Sequence, residues 1–525
     1  LSLSPPLPTF PMNHSSIWQD VIRTALVGTE RQPLTLTSSP NPLNELLSHL
    51  NNTDPEGKLL SAVAAISLYQ RAGQSPITNN QPLLEPCPPD TNLTCSTRAA
   101  QHLKLMLSKE REKLLPEWLA AAATAKQCVP DYCLPELLEL GRTSRQLRPA
   151  ILAVLGKRGR WLAAQNSDWD YVIGEDSEET WKTGSLKARQ LLLQHLRTQD
   201  PAAARERLVG VWGQEKSDER LAFIETFQTG LSIEDEPFLE AALDDRRKEV
   251  RYKAAELLAQ LPESRLCQRM VERVRSSLIL KQKRNRLHID FMFTEFSNEN
   301  IVRDGIDLKQ PPRLLGEKDW TLLQMVAATP LSMWHEINQE SPVEWLQAAK
   351  RSECDRTLFD GWAVAAVRQK NPEWAEVLCS VHDQFNGYLM PQNQLIQGLM
   401  GVLSPEQRDA FFLKLLQSNR TPFDSKHPAF SLLSHCRYPW SAELTRVVIE
   451  GVKRYLANTE NPYDWSLRSA LIEFGYSMNL SLIPELSASL PTIVPEGSSL
   501  ASYWIEAIDE VLALLNFRQE MLREF

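Results

Sequence analysis

Groups that ionise, coordinate or attack must be closely spaced to do chemistry, and the densest such cluster here is Asp244-Asp245-Arg246-Arg247. Two neighbouring carboxylates could act as general acid and base. Flanking arginines favour the ionised carboxylate, however, and so suit ion pairing better than proton donation. The structural use is helix capping, with Asp245 also pairing to Arg251 or to the equivalent Arg of a neighbouring hairpin. Downstream, Arg265, Arg269 and Arg273 recur at i, i+4 and i+8, one stripe of a helix. Residues 246–286 carry thirteen Lys and Arg against four Glu, an excess of nine in a chain whose formal charge is −9. Such a zone is either solvated or paired internally, or it docks an acidic protein or a nucleic-acid backbone. Arg247, Arg251, Arg265, Arg269 and Arg273 are therefore the candidate partner-binding residues. Asp244, Asp245 and Arg251 are the candidate cap and ladder residues.

Other chemistries have less support. The eight cysteines include no C-x-x-C pair and no accompanying histidine cluster, which argues against a zinc site or a disulfide framework. Nine scattered histidines include no H-E-x-x-H. His435-Cys436 is adjacent in sequence, but neighbours on a helix point apart. Phosphate-loop, dinucleotide and nucleophile-elbow patterns do not occur. The sequence therefore names no catalytic, cofactor-binding or metal-binding residue, and the expectation is a protein that is not an enzyme and needs no cofactor.

The charged cluster must be positioned by helices. Phe238, Leu239, Ala242 and Leu243 form one apolar stripe, and Val250, Ala254, Leu257, Leu258 and Leu261 form a second at helical spacing. Pro262 disfavours helical backbone at Leu261 and ends the second helix. A single hairpin cannot bury both stripes, so it needs neighbours of its own kind, which is the logic of an all-α, α-solenoid fold.

The same punctuation runs along the chain. Residues 1–14 read as a disordered extension, with Met12 a candidate start. Helices follow near 15–26, 43–50 and 55–72. A proline-rich loop spans 73–97, either a linker or a binding loop. Ten helices are expected between 98 and 280, completing an N-terminal lobe over 15–282. The aromatic-rich segment from Gly159 to Tyr171 reads as core plugs, with a ligand cage as the alternative. Leu287, Ile289, Phe291 and Phe293 alternate with polar positions, so 286–296 is expected to be a short extended segment within an irregular connector over 283–315. Helices resume over 316–525, with tryptophans at 320, 334, 345, 362 and 374 spaced to stack in a core. No apolar run approaches the roughly 20 residues of a membrane span, and no secretory signal is recognisable. A cytoplasmic location is expected.

The pattern Leu243-Asp244-Asp245-Arg246, Val250-Arg251, Ala254-Ala255 and Leu257-Leu258 resembles a HEAT repeat, with Asp245 and Arg251 at the ladder positions. Ala25-Leu26-Val27-Gly28-Thr29, Gly159-Arg160-Trp161-Leu162, Asp235-Glu236-Pro237-Phe238-Leu239-Glu240 and Arg303-Asp304-Gly305 occur in an order similar to a bacterial family of HEAT-like α-solenoid proteins. The resemblance spans most of the chain from Met12, and the 235–262 phrase is its specific part. Members of that family are often encoded beside MoxR-type AAA ATPases, von Willebrand factor A-type domain proteins and SWIM zinc-finger proteins. The resemblance thus implies a scaffold or adaptor with protein partners in a remodelling or assembly system. Two rival expectations are a nucleic-acid-binding protein akin to HEAT-like DNA glycosylases, which the acidic net charge disfavours, and a bilin lyase or chaperone.

Overall fold

The structure, a computed structural model, describes the chain outside residues 1–14, 36–42, 44–46, 50–53, 73–85, 173–177, 285, 293–297, 309–310, 313–314, 419–420, 459–462 and 494–500. The expected N-terminal extension, half of the expected 43–50 helix and residues 73–85 of the proline-rich loop therefore lie outside the described residues. The fold is all-α. Among the described residues, β structure is confined to two short strand pairs, Leu93–Thr94 with Gln127–Cys128 and Leu278–Lys283 with Arg286–Phe291. No described helix is long and apolar enough to cross a membrane.

Helix starts follow local chemistry. The side chains of Ser96, Ser185 and Ser264 accept the N–H groups of Ala99, Ala188 and Cys267, satisfying donors that lack an intrahelical partner. Asp200 does the same for Ala203 and is followed directly by Pro201, whose fixed φ suits the first helical position. The hairpin at the centre of the sequence pattern forms as helices Glu236–Ala242 and Lys248–Leu258. Both apolar stripes are covered, and Leu239, Ala242, Val250, Ala254, Leu257 and Leu258 are all buried.

The helix expected to reach 280 ends at Ser277, because Leu278 opens an antiparallel pair. Its register sets Leu280 against Ile289 and Lys283 against Arg286. The alternation read at 287–291 is this second strand, with Ile289 buried.

Residues 1–86 and 87–525 form two compact units. In the first, Ser15–Val27 and Pro55–Ala72 enclose a small core of Ile17, Val21, Leu43, Leu47, Ala62 and Ile66. The second contains two larger clusters. One runs from Trp181 to Leu515 and includes residues on both sides of segment 283–315, with Ile289, Ile301 and Ile306 inside it. Within this cluster Trp334 meets Trp345 and Trp362 edge to face at 5.0 and 5.1 Å, and Trp374 follows at 5.2 Å from Trp362. The tryptophans are core, as their spacing predicts. The other cluster gathers residues 95–172 together with Leu514 and Met521.

Helix Ala501–Leu522 thus belongs to both clusters, giving Trp504, Ile508, Val511 and Leu515 to one and Leu514 and Met521 to the other. It closes the helical array of residues 87–525 on itself. Arg518 is buried, forks onto Glu117 at 2.8 and 2.9 Å, and donates to the carbonyls of Gly475 and Met478. Arg98 pairs with Glu520 at 2.9 Å, and the ring of Phe525 packs edge-on against Trp118 at 5.3 Å.

Candidate functional site

The basic stripe is consumed inside the chain. Arg265 forks onto Glu236 at 2.6 and 2.9 Å. Arg269 forks onto Asp304 at 2.7 and 3.0 Å and reaches Glu240 at 2.9 Å, and Arg273 meets the same Asp304 at 2.6 Å. Arg303 ties Glu240 to Asp244, at 2.9 and 2.7 Å. Glu236, Glu240 and Asp304 are buried, so this network bolts helices Glu236–Ala242, Arg265–Ser277 and Asn298–Arg303 together. The Arg265 guanidinium beside Glu236 holds its carboxyl below the usual range, and Arg303 does the same for Asp244. Neither carboxyl is a proton donor near neutral pH.

The remaining candidates behave similarly. Arg247 pairs with Asp218 and, at 3.0 Å, with Glu249. Among the described residues Arg251 meets no carboxylate and instead donates to the backbone carbonyls of Asp245 and Arg246, at 2.8 and 3.2 Å. Asp245 forks with Arg220 of the preceding helix Ser217–Ile224 at 2.7 and 3.1 Å, and accepts the Arg247 N–H at 2.8 Å. The expected Asp245–Arg251 pair is therefore not made within the hairpin. Asp245 shapes the turn ahead of the next helix, whereas Asp244 is taken by Arg303 and caps nothing.

Unpaired cations gather elsewhere, around a cavity of about 1120 Å³ in the 87–525 unit. Three helices wall it. Arg148–Val154 contributes Arg148, Pro149, Leu152 and Ala153, with Arg145 just before it. Gly156–Ala163 contributes Lys157, Arg160 and Trp161. From Leu186–Gln199 come Lys187, Gln190, Leu191, Gln194, His195 and Thr198. Thr226 and Thr229 line it too, and among the described residues Glu225 is its one acidic lining residue.

Local sequence explains this arrangement. Gly156 adopts φ +63°, and a Cβ there would meet the Asp90 carboxylate at 2.5 Å and Cys128 Sγ at 2.9 Å. Glycine lets Asp90 approach the start of helix Gly156–Ala163, where it accepts the N–H groups of Lys157 and Arg158. The described end of the proline-rich loop thereby fixes the helix, and Pro88 from that loop lines the cavity. Lys157, Arg160 and Trp161 at i, i+3 and i+4 then share one helix face.

The side chains of Arg145, Lys157 and Lys187 are exposed and, among the described residues, make no hydrogen bond or ion pair. Arg160 makes only a 3.4 Å contact with the carbonyl of Leu152. Arg148 sits deeper, 4.8 Å from the Tyr171 ring centroid, and donates to the carbonyl of Gly141 at 2.7 Å. Burial, and then the neighbouring Arg145 charge, pull its pKa below the ordinary arginine value. Asp170 is pushed upward by burial, an effect Lys187 offsets only in part. Tyr171 is a core plug, as expected of this segment. Its hydroxyl donates to the carbonyl of Leu138 at 2.9 Å, and burial pushes its pKa to about 12. Trp161, by contrast, faces the cavity.

Sequence reasoning missed this cavity, although a signal was present. Residues 140–167 hold Arg142, Arg145, Arg148, Lys157, Arg158 and Arg160 without one Asp or Glu. An acid-free run cannot neutralise its own charge locally. The 246–286 zone, with its interspersed Glu, drew attention only because it is denser.

Among the described residues no group of three or more His, Cys, Asp or Glu could hold a metal ion. Cys95, Cys128, Cys133, Cys267, Cys354, Cys379 and Cys436 are buried or half-buried, and burial raises the pKa of each thiol, that of Cys95 and Cys133 to about 11, so neither is a ready thiolate. No curated protein and no solved structure matches the chain. A family model matches residues 20–525, and the chain accordingly belongs to DUF5691, a family of unknown function.

Proposed function

We propose that this protein is a non-enzymatic helical-repeat scaffold that grips an acidic segment of a partner protein in the cavity between residues 145 and 229. Among the described residues, Arg145, Lys157 and Arg160 line one cavity with no carboxylate ion-paired to them, and Lys187 has only a charge interaction with Asp170; these cations carry this reading. Buried Arg197 and Arg518 have found carboxylates, at Asp235 and Glu117, and half-buried Arg269 has found Asp304. Cations left unpaired beside Leu152, Trp161 and Leu191 repel one another, and an incoming carboxylate relieves that repulsion while apolar contacts add affinity. A MoxR-type AAA ATPase and a von Willebrand factor A-type protein are the first partners to test, on the strength of the HEAT-like resemblance. The direct experiment uses a labelled glutamate-rich peptide of about fourteen residues, roughly four helical turns, with fluorescence anisotropy as readout. Binding is expected to weaken with salt and to fall at least tenfold when Lys157→Glu and Arg160→Glu are combined. Equal binding by the doubly substituted protein overturns the proposal.

A further inference from the structure

We infer that the cavity is a slot for one amphipathic, acidic α-helix of a partner protein, about three turns long. This deepens the proposed function and rests on it. Lys187, Gln190, Leu191, Gln194, His195 and Thr198 all face the cavity. Their spacing of i, i+3, i+4, i+7, i+8 and i+11 is the stripe with which one helix meets another. The opposite face of the same helix buries Leu192, Leu193 and Leu196 in the core, so this helix has one partnered face and one face turned to the cavity. Across the cavity, Lys157, Arg160, Trp161 and Ala164 repeat the pattern at i, i+3, i+4 and i+7.

Length sets the occupant's reach. From Lys187 to Thr198 the wall helix rises about 16 Å at roughly 1.5 Å per residue, so a helix laid along the whole stripe has about three turns. Charge then sets the occupant's composition. Arg145, Lys157, Arg160 and Lys187 call for Asp or Glu along its flanks, while Leu152, Trp161 and Leu191 take an apolar stripe between them. A single-stranded nucleic acid would use a succession of exposed rings, and in this lining Tyr171 is buried, leaving Trp161 as the aromatic platform.

The test exposes the full chain to three displayed or synthetic pools. One holds acidic amphipathic helices of about fourteen residues, the second has the same composition with a central proline, and the third holds random RNA and DNA oligonucleotides. The helical pool is expected to enrich at least tenfold over the proline pool. Selected peptides should gain helical circular dichroism on binding, and lose affinity at least fivefold against Lys187→Glu and against Leu191→Asp, each checked for an unchanged melting profile. Equal enrichment of the helical and proline pools overturns the helix assignment while leaving acidic-segment binding intact. Enrichment of oligonucleotides alone, or of no pool, overturns both.

Discussion

Removing Asp304 should unfold the protein more readily than removing any arginine it holds. Asp304 is 3% exposed and is the shared acceptor of Arg269, at 2.7 Å, and Arg273, at 2.6 Å, with Arg303 at 3.7 Å. Asp304→Ala leaves Arg273 without a carboxylate and strips Arg269 of its forked partner, although Glu240 remains at 2.9 Å. Breaking a buried pair by deleting one member costs about 3–5 kcal/mol. Arg269→Ala is milder. Its two acids keep other partners, Asp304 with Arg273 and Glu240 with Arg303 at 2.9 Å. What goes is a set of hydrogen bonds between charged groups, about 1.5–3 kcal/mol. Urea unfolding followed by circular dichroism should rank Asp304→Ala below Arg269→Ala and both below wild type. The double variant should cost less than the sum, because the two changes remove the same contacts. Neither should alter binding of the acidic peptide by the folded protein. A loss under about 1 kcal/mol for Asp304→Ala, or a loss of peptide affinity at unchanged stability for Arg269→Ala, would refute the assignment of this stripe to the scaffold.

Three further outcomes are expected. Lys157→Ala and Lys187→Ala should shift stability by less than about 0.5 kcal/mol in the same urea assay, since both side chains are exposed and unpaired, while weakening peptide binding. Asp235 is buried, and although burial raises its pKa, hydrogen bonds from Arg197 and Arg205 outweigh that and hold the carboxyl low. Its stabilisation is therefore complete above the unfolded value of about 3.9 and is lost as pH falls through the lower folded value; Asp235→Asn should flatten the acid limb of the stability profile, and an unchanged limb would count against it. Arg518→Ala should speed amide exchange in helices Thr97–Leu107 and Leu115–Thr124, because that residue joins Glu117 to the carbonyls of Gly475 and Met478.

Period and punctuation made the helices legible before any coordinates. Val250, Ala254, Leu257 and Leu258 had to share a face, although their helix closes at Leu258, short of the Leu261 end that Pro262 suggested. The alternation at Leu287–Phe291 likewise marked a strand, though not its partner, since Leu278–Lys283 reads equally well as the end of a helix. Ion-pair partners were less accessible. Arg220 meets Asp245 from 25 residues away, and Arg303 meets Asp244 from 59. Local spacing offered Arg251 to Asp245 instead, because periodicity reports which residues share a face and says nothing of what the next helix brings to it. For the same reason Arg269 and Lys157 look alike in sequence. One is answered by the Asp304 carboxylate, the other, among the described residues, by no ion pair.

The seam at Ala501–Leu522 sets a timetable for synthesis. Glu117 leaves the ribosome 401 residues before Arg518, so the helices around Leu103, Trp118 and Leu119 are made long before the strut that covers them. Closing so long a loop is entropically modest, since each doubling of length adds only about 0.6 kcal/mol. The delay is the greater burden: until helix Ala501–Leu522 emerges the nascent chain carries an unfinished greasy edge, open to holdase chaperones and to mispairing with sister chains. A chain stalled before that helix would keep the edge exposed to any quality-control system that samples apolar surface.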